Sequence, residues 1–160
     1  MNSKYPEQIY VNCTISNLNY NHLIELFDSL KDLNLEYIRF QLMNFITKDM
    51  ATSHNNNFEN FCKATPSTVT DIIDPSKINT KIIYNQIRTI RQLGKSTNTK
   101  IGFLPDLDYE ELDKYFYQPE KFLKKFKHCY YPWLISSINA NGDVIPFPRC
   151  YNYIIGNINN

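Results

Sequence analysis

The sequence has no long hydrophobic run and no excess of charge of one sign. Its 17 basic and 16 acidic residues give a formal net charge of +1 over 160 residues. This balance gives no reason to expect a nucleic-acid partner. Because no apolar segment is long enough to span a bilayer and residues 1–10 are polar, we expect a cytoplasmic protein with no membrane partner.

Cysteine and glycine are both scarce, with four residues of each. The cysteines are Cys13, Cys62, Cys129 and Cys150, and no two lie closer than twenty positions. In the cytoplasm we expect such thiols to be free or metal-bound rather than disulfide-bonded. The low glycine content accompanies abundant Asn, Ile, Lys and Tyr, a compositional bias with little structural meaning.

The N-terminal region predicts a β-strand, an α-helix and a second β-strand. Residues 8–15 alternate apolar side chains on one face, which is typical of a strand. Leucines at helical spacing predict a helix over about 20–33, with Asn17 and Asn19 supplying turn and N-cap chemistry and Asn34 a left-handed end. Residues 36–42 predict the next strand, and such a unit makes its two strands parallel neighbours.

The middle of the chain predicts one long irregular segment followed by more α/β structure. Residues 44–75 lack periodicity and form either an insertion or a substrate-facing loop. A helix over about 75–94 and a strand over 99–104 follow, and further helices begin after Asp108 and at Pro119. The fold class is therefore α/β with three βα-type units.

The last part of the chain, residues 129–156, predicts a short β-hairpin between two cysteines. Residues 133–138 are apolar and β-branched enough for a strand, and Asn141-Gly142-Asp143 predicts a turn. Val144 begins a return strand that Pro146 and Pro148 end by removing backbone donors. Cys129 and Cys150 are either a metal or cluster site or two buried, inert thiols.

This hairpin resembles the auxiliary-cluster (SPASM-type) region of radical S-adenosylmethionine enzymes. The resemblance rests on C-x-x-P-W from Cys129, on I-N-A-N-G-D-V-I-P, and on I-I-G-N-I. The family pattern is Cys, about a dozen residues, Gly, four residues and Cys. Cys129 and Gly142 fit it with twelve residues between them, but Phe147 stands at the second cysteine position, and Cys150 is the nearest thiol.

The same resemblance extends to residues 11–26 and 37–43, which are similar to the later strands of that family's partial (β/α) barrel. It implies a half-barrel over residues 1–127 and a truncated SPASM-like segment over residues 128–160. In such barrels, polar residues near the C-terminal ends of strands line the ligand site. The implied cofactor- or substrate-binding residues are Ser16, Asn17, Arg39 and Gln41, and the implied metal ligands are Cys129 and Cys150. Alternatively, Arg39 forms a surface ion pair and Gln41 faces solvent.

The resemblance implies a C-terminal fragment of a radical S-adenosylmethionine enzyme, with a separate N-terminal half as its partner and a peptide or small molecule as substrate. C-x-x-x-C-x-x-C, which holds the catalytic [4Fe–4S] cluster, is absent from this chain. We therefore expect no catalysis from it alone and an auxiliary [4Fe–4S] cluster with an incomplete ligand set. The alternatives are a cluster-free module that binds substrate or peptide for a partner protein, and the product of a decayed gene.

Overall fold

A computed structural model describes residues 9–58, 63–67, 74–125, 134–146 and 154–160. The chain divides into two compact units that interleave along the sequence. The first unit comprises residues 1–44 and 73–119, and the second comprises residues 45–72 and 120–160. The predicted boundary between residues 127 and 128 stays a prediction.

The first unit is built on a parallel three-stranded sheet in the order β1-β2-β3. The strands are β1 (Tyr10–Ile15), β2 (Tyr37–Leu42) and β3 (Lys100–Leu104). In the register, Asn12 lies opposite Arg39, and Arg39 lies opposite Gly102. The strands are added in sequence order without reversal, so right-handed crossovers bring the connecting helices to one face of the sheet.

That face forms the apolar core of the first unit. The helices of this unit are α1 (Leu23–Leu30), α3 (Thr80–Gly94) and α4 (Tyr109–Tyr117). Side chains at alternate positions of the strands are buried there, with Ile38 and Phe40 fully so. The contributing residues are Cys13, Ile15, Ile38, Phe40 and Leu42 from the strands and Leu23, Phe27, Ile83, Ile87, Ile90, Leu112 and Phe116 from the helices.

The helices begin where local capping dictates. Asp108 accepts a hydrogen bond from Glu111 N at 2.8 Å, and the Glu111 carboxylate accepts one from Asp108 N at 3.2 Å, which confirms the predicted cap of α4. The predicted helix over 75–94 begins later, because Asn79 caps α3 and Asp74 caps a separate 3₁₀ turn, Pro75–Lys77. Helix α1 is shorter than the predicted 20–33 and ends at Leu30 with Lys31 as its C-cap, so Asn34, although left-handed with φ +50°, lies beyond the helix end.

The segment after β2, in the second unit, contains a helix that its sequence pattern does not predict. Helix α2 spans Lys48–Phe58, and the Thr47 hydroxyl accepts a hydrogen bond from Met50 N at 3.1 Å. The base of the segment is closed by two hydrogen bonds between Ile46 and Ser67, each 2.9 Å long. The pattern misses this helix because it has almost no apolar periodicity, although Thr47 followed by Asp49 is a recognisable start signal.

The C-terminal part forms a small antiparallel sheet of β4 (Ser137–Ile138), β5 (Asp143–Ile145) and β6 (Gly156–Asn157). The predicted first strand is shorter than expected within the described residues. The predicted turn is present, but among its described residues only Gly142, with φ +84°, is left-handed, and Asn141 is not. The sequence pattern does not predict the third strand, β6; Asn157 Nδ2 bonds to Asn141 O at 3.1 Å and Asp143 Oδ1 at 2.8 Å.

These elements confirm a mixed α/β fold with a parallel sheet and a terminal hairpin. The described strands form two open three-stranded sheets, and no barrel closes within them. Helix α5 (Pro119–Lys124) begins at the predicted proline. Of the helices in the described ranges, none combines the length and the apolar character needed to cross a membrane.

Candidate functional site

The second face of the parallel sheet is polar, and we call it the polar face. It is formed by the alternate strand positions that do not point into the core. In register from β1 through β2 to β3, its rows are Tyr10, Tyr37 and Lys100; Asn12, Arg39 and Gly102; and Thr14, Gln41 and Leu104. Parallel sheets usually bury apolar side chains on both faces, so a polar face on one is unusual.

Arg39 occupies the centre of the polar face. It is half-buried, and its guanidinium carbon lies 5.4 Å from the centre of the Tyr37 ring, within cation–π range. The Tyr37 ring is tilted against Tyr10, with ring centres 6.5 Å apart. The Tyr37 ring therefore restricts where the guanidinium can lie, and Tyr10 in turn lies against the Tyr37 ring.

Gly102 makes room for this arrangement. A Cβ atom at residue 102 would lie only 1.8 Å from Tyr37 Oη and 2.7 Å from Tyr37 Cζ, so the phenol ring lies across the glycine backbone. No side chain other than hydrogen fits at Gly102 with the ring in place. The glycine thus lets Tyr37 lie along the sheet, where it supports Arg39.

The charges on the polar face leave Arg39 as the uncompensated cation. Lys100 Nζ lies 2.6 Å from the Glu36 carboxylate, and this hydrogen bond raises the pKa of the lysine. Arg39 makes no ion pair with any described residue, so the predicted alternative of a surface ion pair is not found there. By contrast, Arg91 on α3 pairs with Asp106 and lies over the Phe103 ring.

The neutral polar side chains around Arg39 are also unengaged. Within the described residues, Asn12, Thr14 and Gln41 have no side-chain hydrogen-bond partner. Asparagines elsewhere are heavily used: Asn19, Asn55, Asn79 and Asn139 each make at least two side-chain hydrogen bonds. Unengaged amides beside an unpaired guanidinium are suited to binding a ligand with several acceptor atoms.

The other two predicted residues lie in the loop that follows β1. Ser16 is buried, and its hydroxyl accepts a hydrogen bond from Leu18 N at 3.3 Å, so it serves the loop itself. Asn17 Oδ1 is buried without a hydrogen-bond partner among the described residues. A buried amide oxygen without a donor costs about 1–3 kcal/mol, so Asn17 remains the better candidate for contacting a ligand from this loop.

The described part of the chain contains one cysteine, and it is unsuited to metal binding. Cys13 lies on the core face of β1, and burial raises the pKa of its thiol, which disfavours the thiolate that metals require. No group of three potential metal ligands occurs among the described residues. Cys129 and Cys150 lie outside the described residues, and so does Phe147.

A small cavity lies under the sheet, on the side away from the polar face. It is lined mainly by apolar side chains, among them Ile15, Phe40, Ile87 and Leu112. Its room is that of about one water molecule, which is too small for a substrate. The cavity is therefore a packing defect between the sheet and its helices.

The structure brings Arg39 and Gln41 together and adds residues that the sequence prediction missed. Asn12 and Gly102 adjoin Arg39 only through the strand register. Tyr37 lies two residues before Arg39 on the same strand, β2. No family model, curated protein or solved structure matches this chain.

Proposed function

We propose that this chain supplies the ligand-facing wall of an incomplete (β/α) barrel in a radical S-adenosylmethionine enzyme of the SPASM type. One observation carries the proposal: a parallel sheet wound in one direction has a core face and, opposite it, a polar face on which four side chains make no hydrogen bond or ion pair with any described residue, namely Asn12, Thr14, Arg39 and Gln41. In (β/α) barrels the strands follow one another in sequence order. Doubly wound sheets instead reverse direction and bury both faces, and this sheet does neither.

In the family that the chain resembles, S-adenosylmethionine on a [4Fe–4S] cluster supplies a radical that abstracts a hydrogen atom from substrate. The residues of this chain bind and orient the ligand. Arg39 offers a planar pair of charged donors, Asn12 and Gln41 offer neutral amides from neighbouring positions, and Asn17 offers an acceptor from the loop after β1. The Ser16 hydroxyl is occupied in that loop.

The chain is not proposed to generate the radical, because it has no C-x-x-x-C-x-x-C motif. After anaerobic reconstitution with iron and sulfide, we expect no 5′-deoxyadenosine from this chain alone. Robust turnover would overturn this assignment of roles. The polypeptide to add in a second assay is the product of an upstream reading frame that carries the three-cysteine motif. Turnover that requires both polypeptides and that Arg39→Gln lowers supports the proposal. Turnover by the three-cysteine polypeptide that is the same with and without this chain contradicts it.

The auxiliary site would take its ligands from Cys129 and Cys150, two of the four thiolates that such a cluster usually requires. Iron and sulfide analysis of anaerobically purified protein tests this assignment. Iron that is lost in Cys129→Ala and kept in the matched control Cys62→Ala supports a cluster site. Absence of iron, or iron insensitive to Cys129→Ala, contradicts one.

A second candidate is a cluster-free module that presents a substrate or peptide to a partner protein. Phe147 favours it, because a phenylalanine at the second cysteine position of the pattern cannot ligate iron. The two candidates share the polar face as binding surface and differ in the iron measurement. Protein that carries no iron yet binds a ligand at the polar face supports this second candidate.

A further inference from the structure

We infer that the polar face selects a ligand carrying a single carboxylate group. The carboxylate binds the Arg39 guanidinium, which the Tyr37 ring holds in place. This inference rests on the proposed function, since it names the ligand class of the same face. It follows from the charge balance and the spacing around Arg39, taken together with the support that Tyr37 gives the guanidinium.

The charge balance favours a monoanion. Arg39 contributes one positive charge that no described acidic residue offsets, whereas the Lys100 ammonium is held by Glu36 at 2.6 Å. The neighbouring side chains Asn12, Thr14 and Gln41 are neutral. A phosphate dianion would need a second free cation for charge neutrality, and a neutral ligand would leave the guanidinium uncompensated.

The spacing favours a carboxylate with an amide or hydroxyl group close to it. Asn12 lies opposite Arg39 on the neighbouring strand, about 5 Å away, and Gln41 lies two residues further along β2, roughly 7 Å away. A carboxylate on the guanidinium therefore brings the adjacent atoms of its ligand within reach of both amides. A peptide C-terminus and a free amino acid both have this chemistry.

The Tyr37 ring makes the arginine ready to bind. Long side chains lose rotamer freedom when they bind a ligand, and this loss opposes binding. The guanidinium carbon of Arg39 already lies 5.4 Å from the centre of the Tyr37 ring. The absence of a side chain at Gly102 leaves the space in which that ring lies along the sheet. Part of the ordering of Arg39 is therefore complete before a ligand arrives.

The test is a titration of the full chain at low ionic strength, monitored by two-dimensional NMR of the Arg39 Nε–H and the backbone amides. The probes are N-acetylglycine, which mimics a peptide C-terminus, its neutral isostere N-acetylglycinamide, free glycine, and inorganic phosphate. We expect saturable shifts on the polar face with N-acetylglycine at millimolar concentration, and at least ten-fold weaker binding of the neutral isostere. Tighter binding of N-acetylglycine than glycine indicates a peptide C-terminus, and the reverse order a free amino acid.

Variants separate the guanidinium from general charge. Arg39→Gln should weaken N-acetylglycine binding at least ten-fold, and Arg39→Lys, which keeps the charge and loses the fork, should weaken it less. Arg88→Gln, on the exposed side of α3, is the matched control and should bind as the wild type does. If Arg39→Gln does not fold, two other measurements take its place. Added salt should weaken N-acetylglycine binding to the wild type, and Arg39→Lys should weaken it as well.

Three outcomes would overturn the inference: tighter binding of phosphate, equal binding of the acid and its amide, or binding unaffected by Arg39→Gln. These failures are distinguishable from failure of the proposed function. If N-acetylglycinamide shifts NMR signals on the polar face only, that face still binds ligands, but neutral ones, and the proposed function stands. Absence of shifts with every probe would remove the polar face as a site, whatever the iron analysis finds.

Discussion

At the scale of the residue, the organisation of the polar face depends on an absent side chain. Gly102 faces Arg39 across the strands, and its hydrogen leaves the space in which the Tyr37 ring lies. Three of the four glycines therefore differ in role: Gly102 shapes a site, Gly142 supplies a left-handed turn, and Gly156 has open space where a Cβ atom would lie.

Gly102→Ala should weaken ligand binding at the polar face while lowering the stability of the fold only slightly. The new Cβ displaces the far end of Tyr37, which can rotate away, so we expect a loss of unfolding free energy of only about 1 kcal/mol. Arg39 loses its support, and N-acetylglycine binding should weaken several-fold. Gly156→Ala is the matched control and should change neither quantity. Chemical denaturation and the NMR titration measure the two effects, and unchanged binding in Gly102→Ala would contradict the role given to Tyr37.

Tyr115 shows how one hydroxyl links α4 to the end of β2. Its Oη donates to the Met43 carbonyl at 2.8 Å, and burial raises the pKa of Tyr115 from 10.0 to about 12. Because the folded state holds this proton more tightly than the unfolded state, its contribution to stability is complete below pH 10. That contribution is lost as the pH rises from 10 towards 12.

Tyr115→Phe should therefore lower the free energy of unfolding by about 1 kcal/mol at neutral pH. The variant should also lose part of the decline in stability that the wild type shows between pH 10 and 12. Tyr109→Phe, which removes a hydroxyl from an exposed tyrosine at the start of the same helix, is the control. Urea denaturation at a series of pH values gives both quantities, and parallel pH profiles for wild type and Tyr115→Phe would refute the linkage.

At the scale of the element, α1 begins without a cap of its own and obtains one from another helix. His22 precedes the helix and makes no side-chain cap, and Asn19, an expected cap, instead bonds to Ser16 N at 2.8 Å and Thr14 O at 2.9 Å. Gln86, buried on α3, accepts a hydrogen bond from Ile24 N at 3.1 Å and donates one to Tyr20 O at 2.5 Å. One amide thus satisfies two backbone groups of the loop and first turn.

Gln86→Leu should be among the more damaging conservative substitutions in the chain. It keeps the volume and leaves the Ile24 N–H and the Tyr20 carbonyl without their partner, so we expect a loss of about 1–3 kcal/mol. Gln92→Leu, at an exposed position of the same helix, should change stability by less than about 0.5 kcal/mol. Thermal unfolding of both variants measures the difference, and equal melting temperatures would show that the bridge contributes little.

At the scale of the whole molecule, the buried core is concentrated in the first unit. Among the described residues, the buried apolar side chains that belong to the second unit are those of Ala51, Phe122 and Pro146. The parallel sheet, α1, α3 and α4 lie in the first unit. The part of the chain that carries the polar face therefore has most of the apolar burial that stabilises a fold.

A chain ending at residue 119 should accordingly keep the parallel sheet and unfold cooperatively. It retains every buried apolar residue of the first unit, so we expect native-like circular dichroism and a dispersed NMR spectrum. The control ends at residue 94 and lacks Leu112 and Phe116 together with β3, so it should not fold cooperatively. A non-cooperative chain of residues 1–119 would show that residues 120–160 of the second unit are needed for the first unit to fold.

The sequence alone determined the elements whose cause is local. Alternating apolar residues identified β1 and β2, and Asp108 and Glu111 identified the start of α4. Asn34 and Gly142 occupy left-handed positions that few other residues tolerate. Local patterns failed where a signal was weak or divided. Helix α2 has little periodicity, and two successive caps at Asp74 and Asn79 split the helix predicted over 75–94.

Tertiary structure alone decided which residues meet. Arg39 and Gln41 are recognisable in β2 as candidate ligands, but their neighbours Asn12 and Gly102 come from strands distant in sequence. Register depends on how the core faces of the three strands fit α1 and α3, and no local pattern encodes that fit. The same holds for Gln86, whose two partners lie more than sixty residues away. The chain specifies its strands by alternation, whereas packing between them sets the composition of the polar face.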